Sequence, residues 1–197
     1  MLRLLSIFAV IGISLLLTSC YTISKKECLA GDWKGIGFTD GFNGYQPQAR
    51  FEGHIKSCKR VKVVPNLTLW NQGYKKGLLR YCTASSGLWE GQHGYGYNGL
   101  CPPKTEAEFL RGHELGYRQY SLEAELERLK DEANDKEEEL EDLSEKLKTV
   151  PEAQKYEIRS DIRDLEWELT KIRDKQRDVE SDLYLAEGAV ARFRSQL

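Results

Sequence analysis

Five cysteines and three histidines are the residues whose chemistry could define a site in this chain. Cys28, Cys58, Cys82 and Cys101 form an even set, which in an exported chain reads as two disulfides because the receiving compartment is oxidising. Four cysteines allow three pairings. The pairing expected here is Cys28–Cys58 with Cys82–Cys101. The midpoint of 28–58 falls at Phe42-Asn43-Gly44, where a helical hairpin would turn and bring its ends together, and the second bridge would clip a glycine-rich loop. His54 stands four residues before Cys58, a helical spacing that could align both on zinc. No Cys-x-x-Cys pair accompanies them, and compact zinc sites usually supply one. His93 and His113 have no partner at ligand spacing and read as surface or packing residues. The chain carries neither Gly-x-Ser-x-Gly nor His-Glu-x-x-His, and the disulfides leave no thiol to activate. No catalytic residue, metal ligand or cofactor is therefore assigned, and a non-enzymatic role is expected.

The fifth cysteine has a different setting. Met1-Leu2-Arg3 is a short positive start, and Leu4 to Leu17 is apolar except at Ser6, Gly12 and Ser14. As a helix that run reaches about 21 Å, short of a bilayer core of about 30 Å. Residues 1–19 therefore read as an export signal peptide. Leu17-Thr18-Ser19-Cys20 resembles the lipobox of bacterial lipoproteins. The resemblance implies a diacylglyceryl group on the Cys20 thiol, cleavage before Cys20, and acylation of the new amine with palmitate-type chains. Two or more chains anchor stably where one binds only marginally. Tyr21 replaces the Asp that resembles an inner-membrane retention signal. The expected address is the outer membrane of a Gram-negative bacterium, facing the periplasm.

The net charge of −2 hides a split: residues 21–104 hold 12 Lys+Arg against 5 Asp+Glu, and residues 105–197 hold 16 against 26. Such a change in composition marks a boundary near Lys104. Three segments follow: a signal peptide 1–19, a lipidated basic Gly/Cys-rich domain 20–104, and an acidic segment 105–197. Near-neutral overall charge gives no reason to expect a nucleic-acid partner.

In the basic segment and just beyond it one spacing recurs, two glycines three or four apart with an aromatic beside one of them. It appears at Gly41/Gly44-Tyr45, Gly73-Tyr74/Gly77, Gly91/Gly94-Tyr95 and Gly112/Gly116-Tyr117. On a helix such glycines share a face and make a flat strip for a second backbone. Leu67–Tyr81 has apolar residues at helical spacing after Pro65-Asn66. Between Cys82 and Cys101 the glycines are dense, so Ser85 to Gly99 is expected to be a turn-rich loop. No strand-like run precedes these glycines and no Gly-Lys-Ser/Thr follows, so they do not read as a phosphate loop.

These residues also resemble a family. Asp40-Gly41-Phe-Asn-Gly44-Tyr45, Tyr74-Lys-Lys-Gly77-Leu-Leu-Arg-Tyr81-Cys82, Gly91-Gln-His-Gly94-Tyr-Gly-Tyr97, Cys101-Pro102 and Phe109 to Gly116 follow one ordered pattern. It is similar to that of the small proteobacterial lipoproteins of domain of unknown function 2799 (DUF 2799), over roughly residues 28–120. The resemblance implies a lipoprotein class without an assigned activity.

The acidic segment carries heptads. Leu122, Leu126, Leu129, Ala133, Leu140, Leu143 and Leu147 form one seam, and Ile158, Ile162, Leu165, Leu169, Ile172, Val179 and Leu183 a second, with Lys136 and Gln176 at the skipped beats. Between them lies Lys148-Thr149-Val150-Pro151, and proline suits the first turn of a new helix. The expectation is an antiparallel coiled-coil hairpin turning at 148–151, in preference to one long helix in a parallel dimer. Folding at Thr149 would pair Leu140 with Ile158, Ala133 with Leu165, Leu129 with Leu169, Leu126 with Ile172, Leu115 with Leu183, and Gly112 with Ala186. Asp135, Glu137, Glu138, Glu139, Glu141 and Asp142 form an acidic run on the first arm.

The fold class that results is mainly α: a small disulfide-stapled Gly-rich helical domain followed by a long antiparallel coiled-coil hairpin. The expected role is a membrane-anchored scaffold or adaptor of the cell envelope, binding an envelope protein through the rod. The alternative is a module that binds an anionic ligand, lipopolysaccharide or a wall fragment, through the basic domain.

Overall fold

The structure, a computed structural model, describes residues 21–197. Residues 1–20, with the segment expected to be a signal peptide and the cysteine expected to carry lipid, lie outside the described residues. The described residues are helical with no strand: α1 (Lys25–Ala30), α2 (Trp33–Phe42), α3 (Pro47–Lys59), α4 (Leu67–Tyr81), α5 (Ala84–Gln92), α6 (Pro103–Thr149) and α7 (Glu152–Arg194). They fall into two compact units that divide between Tyr81 and Cys82. Packing therefore divides the chain well before the change of composition near Lys104.

Local chemistry sets the helix ends. Ser24 and Glu27 form a reciprocal capping box on α1, and Gly31 ends it in a left-handed conformation. Asp32 caps α2 through the Gly35 N–H. Pro47, Pro103 and Pro151 sit at or just before helix starts, where a missing N–H costs nothing.

In the first unit α2 lies against α4 at backbone distance. A Cβ on Gly37 would sit 2.0 Å from the Trp70 carbonyl oxygen, and one on Gly41 2.1 Å from that of Tyr74. From the other side, a Cβ on Gly73 would meet the Lys34 oxygen at 1.9 Å and one on Gly77 the Phe38 oxygen at 2.0 Å. Gly73 and Gly77 thus make the flat strip that their spacing suggests, whereas on α2 the strip is Gly37 with Gly41, and Gly44 lies past the helix end with a left-handed φ of 65°. Helix α3 packs over one side of this pair, placing Phe51 against Trp70 at 5.1 Å between ring centroids. Cys28 is bonded to Cys58.

The second unit repeats the device. Gly87 and Gly91 of α5 meet the carbonyls of Phe109 and His113, while Gly112 and Gly116 of α6 meet those of Ala84 and Leu88. Cys82 is bonded to Cys101. Two expectations are corrected here. Ser85–Gln92 is helix, not loop: Thr83 caps α5, and both helical glycines lie on the face that touches α6. Their propensity penalty of about 1 kcal/mol each is offset by contacts that only a bare Cα permits. Gly112 likewise packs on Ala84 and Leu88 and does not pair with Ala186.

Beyond this clasp α6 and α7 form an antiparallel hairpin, with α6 ending at Thr149 and α7 beginning at Glu152. Leu129, Ala133, Ile158, Leu165, Leu169 and Ile172 are buried, and Leu122, Leu126, Leu140, Leu143, Leu147, Ile162, Val179 and Leu183 half-buried. The register differs from the expected one by a heptad. The Gln176 amide donates to the Leu129 carbonyl at 3.0 Å, so Leu129 stands opposite Gln176 and not Leu169. At the base Leu115 packs with Val190 and Phe193, not with Leu183. Heptad arrays match at every seventh offset, so the apolar pattern leaves this choice to other groups. The adopted register gives the Gln176 amide a carbonyl, sets Lys136 3.1 Å from Glu168 across the hairpin, and lays Val190 and Phe193 over Ala84 and Leu88. In the expected register Gln176 would face Leu122 and Lys136 would face Ile162.

Candidate functional site

The first unit buries a polar cluster that no single motif announces. Asp40 (1 % exposed), His54 (0 %) and Ser57 (1 %) come from α2 and α3 and meet beneath Thr22. Asp40 Oδ1 accepts from Arg50 Nε at 2.6 Å, and Oδ2 accepts from Trp70 Nε1 at 2.9 Å and lies 2.7 Å from His54 Nε2. Burial pushes the Asp40 carboxyl up, but the hydrogen bonds from His54, Trp70 and Arg50 outweigh it and hold the group below the usual carboxylate range. An ionised Asp40 makes His54 Nε2 the donor in that pair. On the other edge of the ring, His54 Nδ1 is 2.7 Å from Thr22 Oγ1.

Thr22, His54 and Asp40 thus form a hydroxyl–imidazole–carboxylate chain, the order of groups used to activate a nucleophile. Its surroundings point to fastening. Ser57 Oγ accepts from the Thr22 N–H at 3.0 Å, lies 3.1 Å from the Thr22 hydroxyl, and donates to the Gly53 carbonyl at 2.8 Å. Arg60 donates to the Ile23 carbonyl at 2.6 Å and covers the Tyr21 ring at 3.7 Å. Ile23 is buried. Thr22 is thus held by α3, and Tyr21 and Ile23 by Arg60 directly after it. Beside the cluster lies an open cleft of about 380 Å³, lined by Thr22, Glu27, Asp32, Thr39, Asp40 and Arg50 among others. Three carboxylates against one guanidinium make it a poor receptor for an anion.

The two helix clasps correspond residue by residue. Gly37, Gly41, Gly44 and Tyr45 match Gly87, Gly91, Gly94 and Tyr95, while Trp70, Gly73, Tyr74, Gly77 and Tyr81 match Phe109, Gly112, His113, Gly116 and Tyr120. Each close approach has its counterpart, including Gly44 over the Tyr81 ring and Gly94 over the Tyr120 ring. Both turns close alike, with the Tyr45 N–H on the Asp40 carbonyl and the Tyr95 N–H on that of Glu90, each at 3.1 Å. Even the cross-link from the second helix recurs. The Tyr74 hydroxyl donates to the Tyr45 carbonyl at 2.7 Å, and His113 Nε2 meets the Tyr95 carbonyl at 2.6 Å. The protein contains one helix clasp twice.

That doubled segment is what the comparison with known families picks out. Residues 32–118 match the model of the family described as Protein of unknown function (DUF2799). That segment is similar to the DUF2799 family. No curated protein and no solved structure matches the chain. The DUF2799 match takes in both clasps and stops within α6, before the heptads. Asp40, His54, Arg50 and Trp70 all lie inside it.

Sequence reasoning singled out His54 only against Cys58, whose sulfur is bonded to Cys28. It missed Asp40, Arg50, Trp70 and Thr22. The one available signal was Arg50 and His54 four apart on a helix opened by Pro47. His93 and His113 each meet a backbone carbonyl, that of Trp89 and that of Tyr95. Among the described residues, no group of three or more His, Cys, Asp or Glu could hold a metal ion, and no helix is long and apolar enough to cross a membrane.

Proposed function

We propose that this protein is a lipid-anchored scaffold of the bacterial envelope, held through Cys20 at the periplasmic face of the outer membrane, with its coiled-coil rod as the element that meets another envelope protein. The role is binding, without catalysis. The observation that carries this reading is the self-contained hairpin. Its apolar seam is buried between α6 and α7, so the rod needs no second chain and its outer face is free for a partner. On that face Tyr156, Trp167 and Tyr184 are 79 %, 61 % and 76 % exposed. Exposed aromatics of this size are the residues most often found at interface hot spots. Trp167 stacks under the Lys171 ammonium at 3.2 Å, which keeps the ring oriented. The acidic run is only partly neutralised, by Arg173 on Glu137 and Lys136 on Glu139.

The start of the fold supports the anchor. Only Tyr21 separates Cys20 from Thr22, which α3 holds by three polar contacts. Acyl chains on Cys20 would therefore tether the first unit directly, without a flexible spacer. The anion-binding alternative has less behind it, because the charged groups lining the cleft of the first unit are three carboxylates and one guanidinium.

The test places a benzophenone amino acid at Trp167 in the full chain and irradiates intact cells. A discrete adduct with one envelope protein, lost when Glu137, Glu138 and Glu141 are changed to Lys, is expected. Adducts only between copies of this chain, or none, would refute the rod reading. Cys20→Ala in the same strain should give a precursor that no longer fractionates with the outer membrane; normal fractionation refutes the anchor.

A further inference from the structure

The two clasps are covered differently, and the difference exposes a surface. In the second unit the last turns of α7 lie along the α5–α6 pair, with Val190 and Phe193 packed on Ala84, Leu88 and Leu115. Arg111 sits over the Phe193 ring at 5.0 Å, and Arg194 donates to the Gln92 side chain at 2.9 Å. Leu88 is left 3 % exposed. The residues that correspond to Ala84, Leu88, Gln92, Arg111 and Leu115 in the first clasp are Lys34, Phe38, Phe42, Gln72 and Lys76. There Phe38 is 42 % and Phe42 53 % exposed, with their rings 6.3 Å apart and nearly parallel. Helix α3 covers the Trp70 and Asp40 side of the clasp and leaves this side open.

We propose that the Phe38–Phe42 face of the first unit is a docking site for an acidic amphipathic helix of a partner protein, seated as α7 is seated on the second unit. The apolar half of the argument is the correspondence itself, since the same backbone scaffold already accepts a helix at the equivalent place. Helix-in-groove recognition uses anchors at i, i+4 and i+7, the spacing of Ala186, Val190 and Phe193. The acidic half follows from charge. Lys34 and Lys76 stand where the second clasp has Ala84 and Leu115, and Lys75 replaces Glu114. A second copy of α7 would bring Arg192 and Arg194 against these lysines, which disfavours self-association. The chain segment after Cys20 is fastened to α3, on the covered side of the clasp, which disfavours the lipid surface as occupant. This site is independent of the rod surface proposed above.

The probe is a fluorescent peptide of residues 182–195 carrying Arg192→Glu and Arg194→Glu, held helical by a lactam bridge on its outer face. It is titrated against the full chain by anisotropy. Saturable binding is expected, weakened at least tenfold by Phe38→Ser with Phe42→Ser, and similarly by Lys34→Glu with Lys76→Glu. The peptide that keeps both arginines should also bind at least tenfold more weakly. Both aromatic positions are exposed, and unchanged helical circular dichroism with an intact Cys28–Cys58 bridge confirms that the variants fold. No binding, or equal binding to wild type and the Phe38→Ser/Phe42→Ser variant, overturns the proposal. A benzophenone at position 42 in cells gives a second reading: adducts to another copy of this chain or to lipid overturn it in favour of those occupants.

Discussion

A single methyl group on Gly73 tests the clasp most directly. Its Cβ would lie 1.9 Å from the Lys34 carbonyl oxygen and 2.8 Å from the Phe38 nitrogen, both backbone atoms that no rotamer change can move. Helices α2 and α4 must then part by roughly 1 Å or more, which a close-packed interior resists. Overpacking of this kind costs about 1–3 kcal/mol, and more where backbone must shift. Alanine returns about 1 kcal/mol of helix propensity, so Gly73→Ala should destabilise by a net of about 2 kcal/mol. At about 2–4 °C per kcal/mol for a chain of this size, the protein should melt about 4–8 °C lower. Gly188 on α7 is the control, because its Cβ would meet only the end of the Arg192 side chain at 3.4 Å. Gly188→Ala should therefore stabilise by up to about 1 kcal/mol. Urea unfolding followed by circular dichroism reads both variants. A Gly73→Ala protein as stable as wild type, or a Gly188→Ala protein that loses stability, would refute the packing argument.

The remaining predictions are shorter. Asp40→Asn removes a buried charge that Arg50 and His54 meet, and should cost about 3–5 kcal/mol, measured as a lower urea midpoint for the first unit. Because the folded carboxyl titrates below its unfolded value of about 3.9, its contribution is present above that value and is lost as pH falls through the folded one. Wild type should therefore lose stability below about pH 4 more steeply than Asp40→Asn, in acid melts followed by circular dichroism. Burial pushes the Tyr74 phenol up to about 12, with the Asp40 charge adding to the shift. Stability from it is full below the unfolded value of about 10 and is lost as pH rises through the folded one, so Tyr74→Phe should flatten the alkaline melt between those values. Ala133→Cys with Ile172→Cys, two positions of one buried cluster, should form a disulfide within a single chain, running as monomer on a non-reducing gel. A predominant dimer band would favour the parallel pairing of long helices.

The heptads of 122–147 and 158–183, and the proline between them, specified two long helices and the place where the chain reverses. They could do so because a coiled-coil seam is a local, periodic property of the residues on one helix face. Leu67–Tyr81 was legible for the same reason. Spacing of the paired glycines told that backbones would approach, yet not which ones. Helix α5 was hidden because glycine density reads locally as turn, and only the α6 backbone that fills the strip turns that density into helix. Choosing between two offsets a heptad apart fell to Gln176, Lys136 and the base formed by Ala84 and Leu88, none of which changes the apolar period. Asp40 and His54 lie fourteen residues apart on different helices, and Trp70 joins them from a third. Their hydrogen bonds, like the open face at Phe38 and Phe42, arise only once the clasp has closed and α3 has covered one side of it.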